Sequence, residues 1–557
     1  MDLRSAVWRV SLLIALAILA VPAIYGKSYG QQTPVPSGDS DRVTVSRFRL
    51  TGVTVFPPEK LRALLADGEG QTLTLAQLEG LTARISAFYR ERGYILARAY
   101  IPAQEMRDGV VEIAVLEGRI GRIEVEGVRW YDPDYLRSYV RPKDEARVFE
   151  LGSFERGLLL INDLPGLEVK STLKPGLERG TTDVVLDVEK DRLITGAIDS
   201  NNYGSKSTGY ERFGVALNLN NPLGIGDALS FRGLTSREGG ALWLARLSYT
   251  VPVNTLGTKV GGAYTHVAVA ADVGITVGHT DVNGAGDVGS LYAVHPFVRS
   301  RELSLYGQLG FDYKDFTNQF NLHADNPDQE AVTIVQKDRL RVFTAGGTLN
   351  AFDRWRGLNG VSLTLYQGVG DFLGGLHGDN DSHASRPGAG GTFTKLTGEV
   401  SRLQQITANT SVFLRAAGQW ANTGLVAPEQ FVVGGQGTVR GYPVADIVGD
   451  NGYAVTGEFR WNAPGFADVP AFLGKRWGEI LQFFVFIDHG GATLLEPQPG
   501  ERGTRWATGA GVGAQMGISD NFLLKLEFAK PVIKPISGQP SQDGLDNYVY
   551  FLAIKWF

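Results

Sequence analysis

The sequence predicts a membrane β-protein: two small α/β units followed by a sixteen-stranded antiparallel transmembrane β-barrel. Three observations carry that expectation. A strand–helix–helix–strand–strand pattern occurs twice between Val43 and about Lys190. From Leu193 to Phe557 helical periodicity vanishes, and short alternating segments separated by glycine-rich turns replace it. The connections between those segments are tight on one side and long on the other.

Composition narrows the alternatives. The chain has 557 residues with 71 glycines, close to twice the average share of about 7%, yet no Gly-X-Y period accompanies them. Collagen is excluded. Aromatics at 10% and hydrophobics at 43% are too abundant for a disordered chain. A net charge of −5, from 54 basic and 59 acidic residues, provides no electrostatic footprint for nucleic acid. The absence of cysteine removes disulfide scaffolds, thiolate zinc sites and cysteine nucleophiles together, and 7 scattered histidines leave little for a metal centre.

Residues 1–30 read as a secretory signal peptide. Arg4 and Arg9 form the positive region, Val10–Ile24 the apolar one, and Ser28 and Gly30 stand at −3 and −1 before Gln31. The competing reading, a membrane anchor, needs about 20 apolar residues, and this run is shorter. No later stretch reaches that length, so any later crossing is made by strands. Residues 31–42, rich in Gln, Pro, Ser and Gly, are a linker.

The first α/β unit opens with an alternating strand from Val43 to Leu50. A short helix follows at Pro57-Pro58, where proline suits a first turn. An amphipathic helix then runs from Thr74 to Arg92, with Leu78, Leu81, Ile85 and Phe88 on one face and Gly93 as its stop. Strands Ala97–Ile101 and Val110–Leu116 close the unit. The second unit repeats the order: strand Ile120–Val125, helices near Asp134–Val140 and Ser153–Asp163, strands Leu167–Thr172 and Thr182–Val188. A repeat of about 75 residues marks a modular array rather than one enzyme core.

In the barrel region Phe213, Val215, Leu217 and Leu219 alternate with small or polar residues. Leu481, Phe483, Val485 and Ile487 alternate with Gln482, Phe484, Phe486 and Asp488, and Phe522, Leu524, Leu526 and Phe528 with Leu523, Lys525 and Glu527, so one face is greasy and the other mostly small or polar and sometimes charged. A soluble sandwich would bury that apolar face; a barrel turns it to lipid and lines a wet lumen with the other. Sixteen strand candidates start near residues 193, 210, 227, 241, 258, 289, 302, 339, 358, 393, 408, 453, 480, 504, 521 and 546. Their long connections are roughly 271–288, 316–338, 373–391 and 421–452, and their tight ones include 221–227, 252–257 and 517–521. Short turns on one rim and long loops on the other favour the barrel.

Several motifs stand in order along this frame. Tyr100–Gln104 with Asp108–Ile120 ends the first unit, and Asn162-Asp163-Leu164-Pro165-Gly166 with Gly180–Asp187 ends the second. Asn220–Asp227 forms a tight turn, Val439-Arg440-Gly441-Tyr442 lies in a glycine-rich loop, and Phe486-Ile487-Asp488-His489-Gly490 lies on strand thirteen. Each is weak alone. Together, and in this spacing, they resemble the outer-membrane transporters of two-partner secretion, the hemolysin-activator and filamentous-hemagglutinin transporter group of the BamA-like superfamily. The resemblance implies POTRA domains at 43–119 and 120–190, a barrel at 191–557, and a sixth extracellular loop folded inward. Many members carry an N-terminal plug helix, for which residues 31–42 leave no room. The resemblance also makes Phe557 the terminal aromatic read by the barrel-assembly machinery, although Tyr548, Tyr550, Leu552, Ile554 and Trp556 are out of phase with it.

Arg440 sits among Gly434, Gly435, Gly437 and Gly441. One reading is a solvated loop with a single arginine. The other is a loop turned back into the lumen, where strand parity points Asp488 inward for a bidentate pair. Losing one partner would cost about 3–5 kcal/mol if the pair is desolvated and about 0–1 kcal/mol in a wet lumen. Glu458 and Arg460, inward on strand twelve, are further candidates for this network. In the first unit Ala97, Arg98, Ala99, Tyr100 and Ile101, if at a sheet edge, offer main-chain groups to an extended client; the alternative is a blunted edge that only packs the domain.

No chemistry-bearing motif completes. Gly509-x-Gly511-x-Gly513 and Gly435-x-Gly437 are not dinucleotide loops, phosphate-loop and zinc-protease patterns are absent, and Asp488 and His489 alternate to opposite faces. No enzyme, metal, nucleotide or other cofactor is expected. The expected function is export of a partner exoprotein from periplasm to cell surface without ATP. The expected partners are that client in extended form, outer-membrane lipid and the assembly machinery. The alternative is insertion of other barrels into the membrane, an activity whose carriers in the superfamily usually have three or more POTRA units. A plain porin would need no repeat at all.

Overall fold

The computed structural model describes residues 42–557 apart from 106–107, 143, 145–146, 206–207, 238–241, 276–277, 324–331, 379, 520 and 533–547. The leader at 1–30 and linker residues 31–41 lie outside the described residues. The chain divides into two compact units, one formed by residues up to Ser86 with Ala99–Val115, the other by Ala87–Arg98 with Leu116–Phe557.

The opening alternating segment is two strands. Arg42–Thr44 pairs antiparallel with Thr72–Thr74, whereas Arg47–Thr51 runs parallel to Val110–Leu116. The break falls at Ser46, whose N–H donates to the Gly109 carbonyl at 2.7 Å and whose hydroxyl donates to that of Asp108. A change of partner splits the run into two strands, and the buried face shifts phase with it, from Val45 to Phe48. Helix Leu75–Glu91 begins at a reciprocal cap: Thr74 N–H donates to Gln77 Oε1 at 2.9 Å, and Gln77 N–H to Thr74 Oγ1 at 3.3 Å. The sheet order is Arg47–Thr51, Val110–Leu116, Arg98–Tyr100, so the expected edge strand is at an edge, shortened to three residues. One of its amides is already engaged, Ala99 N–H donating to Ser86 Oγ at 2.9 Å.

The second α/β unit has the same plan. Its last strand, Thr181–Asp191, is central, with Arg119–Glu126 parallel on one side and Leu167–Pro175 antiparallel on the other. The internal repeat therefore holds at the level of topology. Helices Pro133–Val140 and Leu151–Asn162 cover the sheet, burying Leu136, Val140, Phe154, Leu160 and Ile161 against Val184 and Leu186.

The remainder closes as a sixteen-stranded barrel, from Ile194–Asn201 to Tyr548–Trp556. The last strand meets the first from Leu552–Asn201 to Trp556–Ala197, and Phe557 and Gly196 exchange main-chain hydrogen bonds at 3.0 and 3.1 Å beyond it. Closure leaves no edge exposed to hydrocarbon. That disposes of the open sandwich. Parity is as the alternation indicates: Ile487 on the outside is 57% exposed and Asp488 on the inside 0%.

Two connections differ from expectation. Residues 271–288 and 316–338 mostly belong to strands, because the ladders extend through Lys259–Ile275, Gly278–Arg299, Leu303–His323 and Val332–Phe352. The longest has 22 residues, about 75 Å at 3.4 Å per residue, against an apolar band of about 25 Å. Beyond that band the outer face has no reason to be greasy, so the alternation fades while main-chain pairing continues. One short-rim connection, 463–480, is also long and contains helix Trp477–Ile480.

Face assignment is directly testable on strand nine, Gly357–Gly368, where Leu363 is half exposed and Thr364 points inward. Leu363→Arg is expected to destabilise the barrel by about 2–4 kcal/mol in lipid, and Thr364→Arg to leave the urea midpoint nearly unchanged. Equal shifts would contradict the assignment.

Candidate functional site

The long loop between strands eleven and twelve, 422–450, returns to the barrel interior. Its arms Phe431–Val433 and Ile447–Gly449 pair antiparallel, and the tip between them carries Val439 to Tyr442. Val433, Val439, Tyr442 and Ile447 are buried with Ala492 of strand thirteen and Ala507 of strand fourteen. Tyr442 also donates its hydroxyl to the Thr508 carbonyl at 3.1 Å. Gly441 has φ +90°, and a Cβ there would lie 2.8 Å from the Lys530 carbonyl carbon, so the turn admits no side chain.

Arg440 is held on every donor side. Nε reaches Asp488 Oδ2 at 2.7 Å and Nη2 reaches Oδ1 at 2.9 Å, a bidentate pair. Its backbone N–H adds a third bond to Asp488 Oδ2 at 3.1 Å. Nη1 lies 2.6 Å from Glu527 Oε1 and 2.9 Å from Glu458 Oε1. The guanidinium carbon sits 3.4 Å above the centre of the Phe486 ring. Two more cations complete the cluster: Lys525, 3.0 Å from Glu527, and Arg460, 2.5 Å from Glu458. Three positive groups thus face three carboxylates. Arg440 is 4% exposed and Asp488 0%, which excludes the solvated-loop reading and selects the desolvated regime.

Five consecutive strands, twelve to sixteen, shape this pocket. They supply Glu458, Asp488 with Phe486, Gly509, Glu527 and Tyr550 in turn, the Tyr550 hydroxyl accepting from Gly441 N–H at 3.2 Å. Gly509 is required by proximity, since a Cβ would stand 1.8 Å from the Arg440 carbonyl oxygen. Gly490 is similar, with Tyr453 O at 2.8 Å and Val439 Cγ2 at 3.1 Å from a built Cβ.

Of the residues singled out in the sequence, Val439, Arg440, Gly441, Tyr442, Phe486, Asp488, Gly490 and Glu458 therefore meet. Arg460 belongs at one remove, through Glu458. Ala97–Ile101 and Phe557 are elsewhere, the former in the first α/β unit and the latter at the barrel seam. Glu527, Lys525, Gly509 and Tyr550 went unrecognised as members. Parity already places Glu527 and Lys525 inward; the path of the loop past them is what alternation cannot show.

A second buried pair joins the two longest loops. Arg386, in 369–392, places Nη1 2.8 and 2.7 Å from the two Asp450 carboxylate oxygens, which also accept from Leu425 and Leu495 N–H. Nearby, Glu429 takes Lys314 at 2.7 Å and Lys395 at 2.5 Å. Leu376, Ala389, Leu425 and Val426 pack with Leu340, Val342 and Phe393 of strands eight and ten. Among the described residues no cluster of acidic and histidine side chains is arranged to hold a metal ion.

Comparison with known proteins agrees with this architecture. A family model described as haemolysin secretion/activation protein ShlB/FhaC/HecB matches residues 180–516, and one for the ShlB-type POTRA domain matches 43–118. The chain is 24% identical to the heme/hemopexin transporter protein HuxB of Haemophilus influenzae, over 92% of this chain and 87% of that one. It is 25% identical to the outer membrane transporter CdiB of Escherichia coli, over 88% and 79%. Identity to the hemolysin transporter protein ShlB of Serratia marcescens is 26%, over 72% and 69%. The solved structure of CdiB from Escherichia coli shares the fold with a TM-score of 0.73 at 21% identity, covering 100% of this chain and 98% of that one. BamA from Haemophilus ducreyi, lacking POTRA domains 1–3, shares it at 0.52 and 17%, over 92% and 100%. A closed barrel behind a POTRA domain, matched by that model over more than half its length, places this chain in the ShlB/FhaC/HecB family of haemolysin secretion/activation proteins, outer-membrane β-barrels with their POTRA domains in the periplasm.

Proposed function

We propose that this chain exports a partner exoprotein, taken up unfolded in the periplasm and passed through the barrel to the cell surface without nucleotide. The buried Arg440 cluster carries the reading: a loop tip fastened by charge inside a barrel wide enough for an aqueous channel. Held on strands twelve to sixteen, the tip lies along one wall. Released, it would be free to fill the lumen and obstruct an extended chain. Folding of the client outside would hinder its return and so supply direction. The names of the relatives, all transporters, support the same reading.

The rest of the assignment follows from this. Residues 120–190 serve as a second POTRA domain, and 1–30 as the leader that brings the chain to the periplasm. Outer-membrane lipid contacts the apolar exterior, and Phe557 is the signal for the assembly machinery. Arg98–Tyr100 acts as a template for the client's main chain; being short and partly engaged by Ser86, it relies on side-chain contacts as well. The likeness to BamA keeps barrel insertion as the rival, but that likeness is one of fold alone.

Cells lacking the protein are expected to retain one large exoprotein in the periplasm while other outer-membrane barrels assemble normally; broad loss of barrels would favour the insertase reading. Arg440→Ala is expected to leave a barrel that still shifts on heating before electrophoresis, yet to cut export at least about tenfold, since breaking a buried pair costs about 3–5 kcal/mol. Gly509→Ala removes no charge and should lower export in the same way, because its methyl group displaces the Arg440 backbone. Normal export by both variants would refute the role given to the clasp.

A further inference from the structure

The motif Asn162–Gly166 does not touch the loop tip, and its geometry has a different use. Asn162 Nδ2 donates to the Val169 carbonyl at 2.9 Å, and its Oδ1 accepts from Val169 N–H at 2.8 Å, which ties the end of helix Leu151–Asn162 to the outer strand Leu167–Pro175. The Asp163 carboxylate accepts from Arg299 Nε and Nη2, both at 2.8 Å, and its backbone carbonyl accepts from Lys259 Nζ at 2.7 Å. Arg299 ends strand six of the barrel and Lys259 begins strand five. The Pro165 carbonyl accepts from the Tyr131 hydroxyl at 2.7 Å, and Gly166, at φ +75°, accepts from Arg192 N–H at 3.1 Å. Within five residues the motif therefore joins a helix, a sheet edge and the short-turn rim of the barrel.

The charge at this point is informative. Asp163 is the C-terminal cap of its helix, where the helix dipole disfavours an anion. The carboxylate is paired instead with Arg299 of the barrel, and Lys259 of the barrel bonds the backbone carbonyl of the same residue. The pair is partly shielded, with side chains 26% and 18% exposed. Around it Arg156 Nη2 donates to the Pro296 carbonyl at 2.6 Å and Glu155 meets Arg301 at 2.9 Å, the latter largely exposed and weak.

We infer that Asp163 is a positioning residue for export. Through Arg299 and Lys259 it fixes the second α/β unit on the barrel rim, so that the outer edge of Leu167–Pro175 delivers an extended chain over the pore mouth. The inference rests on the export reading above.

The full-length chain has no cysteine, so Leu177→Cys and Trp355→Cys, at exposed positions of the second unit and of a short turn, can carry spin labels. Pulsed electron resonance on the lipid-embedded protein should give one narrow distance distribution. Asp163→Arg should broaden it and lower export at least about tenfold, with the amount of client recovered on the purified full-length protein unchanged. Combining Asp163→Arg with Arg299→Asp should restore both the distribution and export. Parent-level export by Asp163→Arg, lost export with an unchanged distribution, or no recovery in the exchanged pair would each overturn the inference. Should Asp163→Arg yield no heat-shifting barrel, Asp163→Asn is read against the same outcomes. A null strain that retains no exoprotein would remove the export reading and leave the distance result standing.

Discussion

A guanidinium enclosed by three carboxylates and laid on an aromatic ring is the interaction around which the barrel interior is organised. Arg440 is buried with its five donors, so the oxygens that satisfy them must come from the wall. That demand fixes the position of strands twelve, thirteen and fifteen around one side chain, and it explains the small residues nearby. Gly509 and Gly490 are where the loop backbone touches the wall, and any side chain would hold the tip away from the carboxylates. Electrostatics and steric clearance are thus two halves of one constraint. The three cations and three carboxylates balance, so the cluster tolerates burial as a unit and not in parts.

Closure of the sheet is the condition that makes such a cluster possible. In hydrocarbon an open ladder would leave main-chain groups unpaired, so the last strand must return to the first. Once it has, inward positions of all sixteen strands share one lumen, and residues as far apart as Glu458 and Glu527 become neighbours. The long loops use the same principle above the lumen, where Arg386 and Asp450 join 369–392 to the end of 422–450. Asp163 does so below it, across 136 positions of sequence.

Much of this is legible in the sequence itself. Alternation reports which face a strand residue occupies, and it placed Asp488, Glu458, Arg460 and Glu527 inward. A glycine cap at Gly93 marks the end of the first long helix. What alternation does not report is depth or the path of a loop. The extended ladders above the membrane band were unreadable because their outer faces are as polar as their inner ones. The split at Ser46 does leave a trace, since the buried face moves from Val43 and Val45 to Phe48 and Leu50, but one shifted step in so short a run does not show that the partner strand changes. The partnership of Arg440 with Asp488 was expected from the family motifs and from parity. Glu527 was not expected, since no local signal ties strand fifteen to a loop that precedes strand twelve. The docking of Asp163 was missed for the same reason.

Amide hydrogen exchange of segment 434–442 in the lipid-embedded protein examines the central claim most directly. If the tip is sealed against strands twelve to sixteen, its amides, Arg440 and Gly441 above all, should exchange as slowly as those of the neighbouring strands thirteen and fourteen. Exchange at the rate of an open surface loop would show that the clasp does not hold in the membrane, and the account built on it would fail.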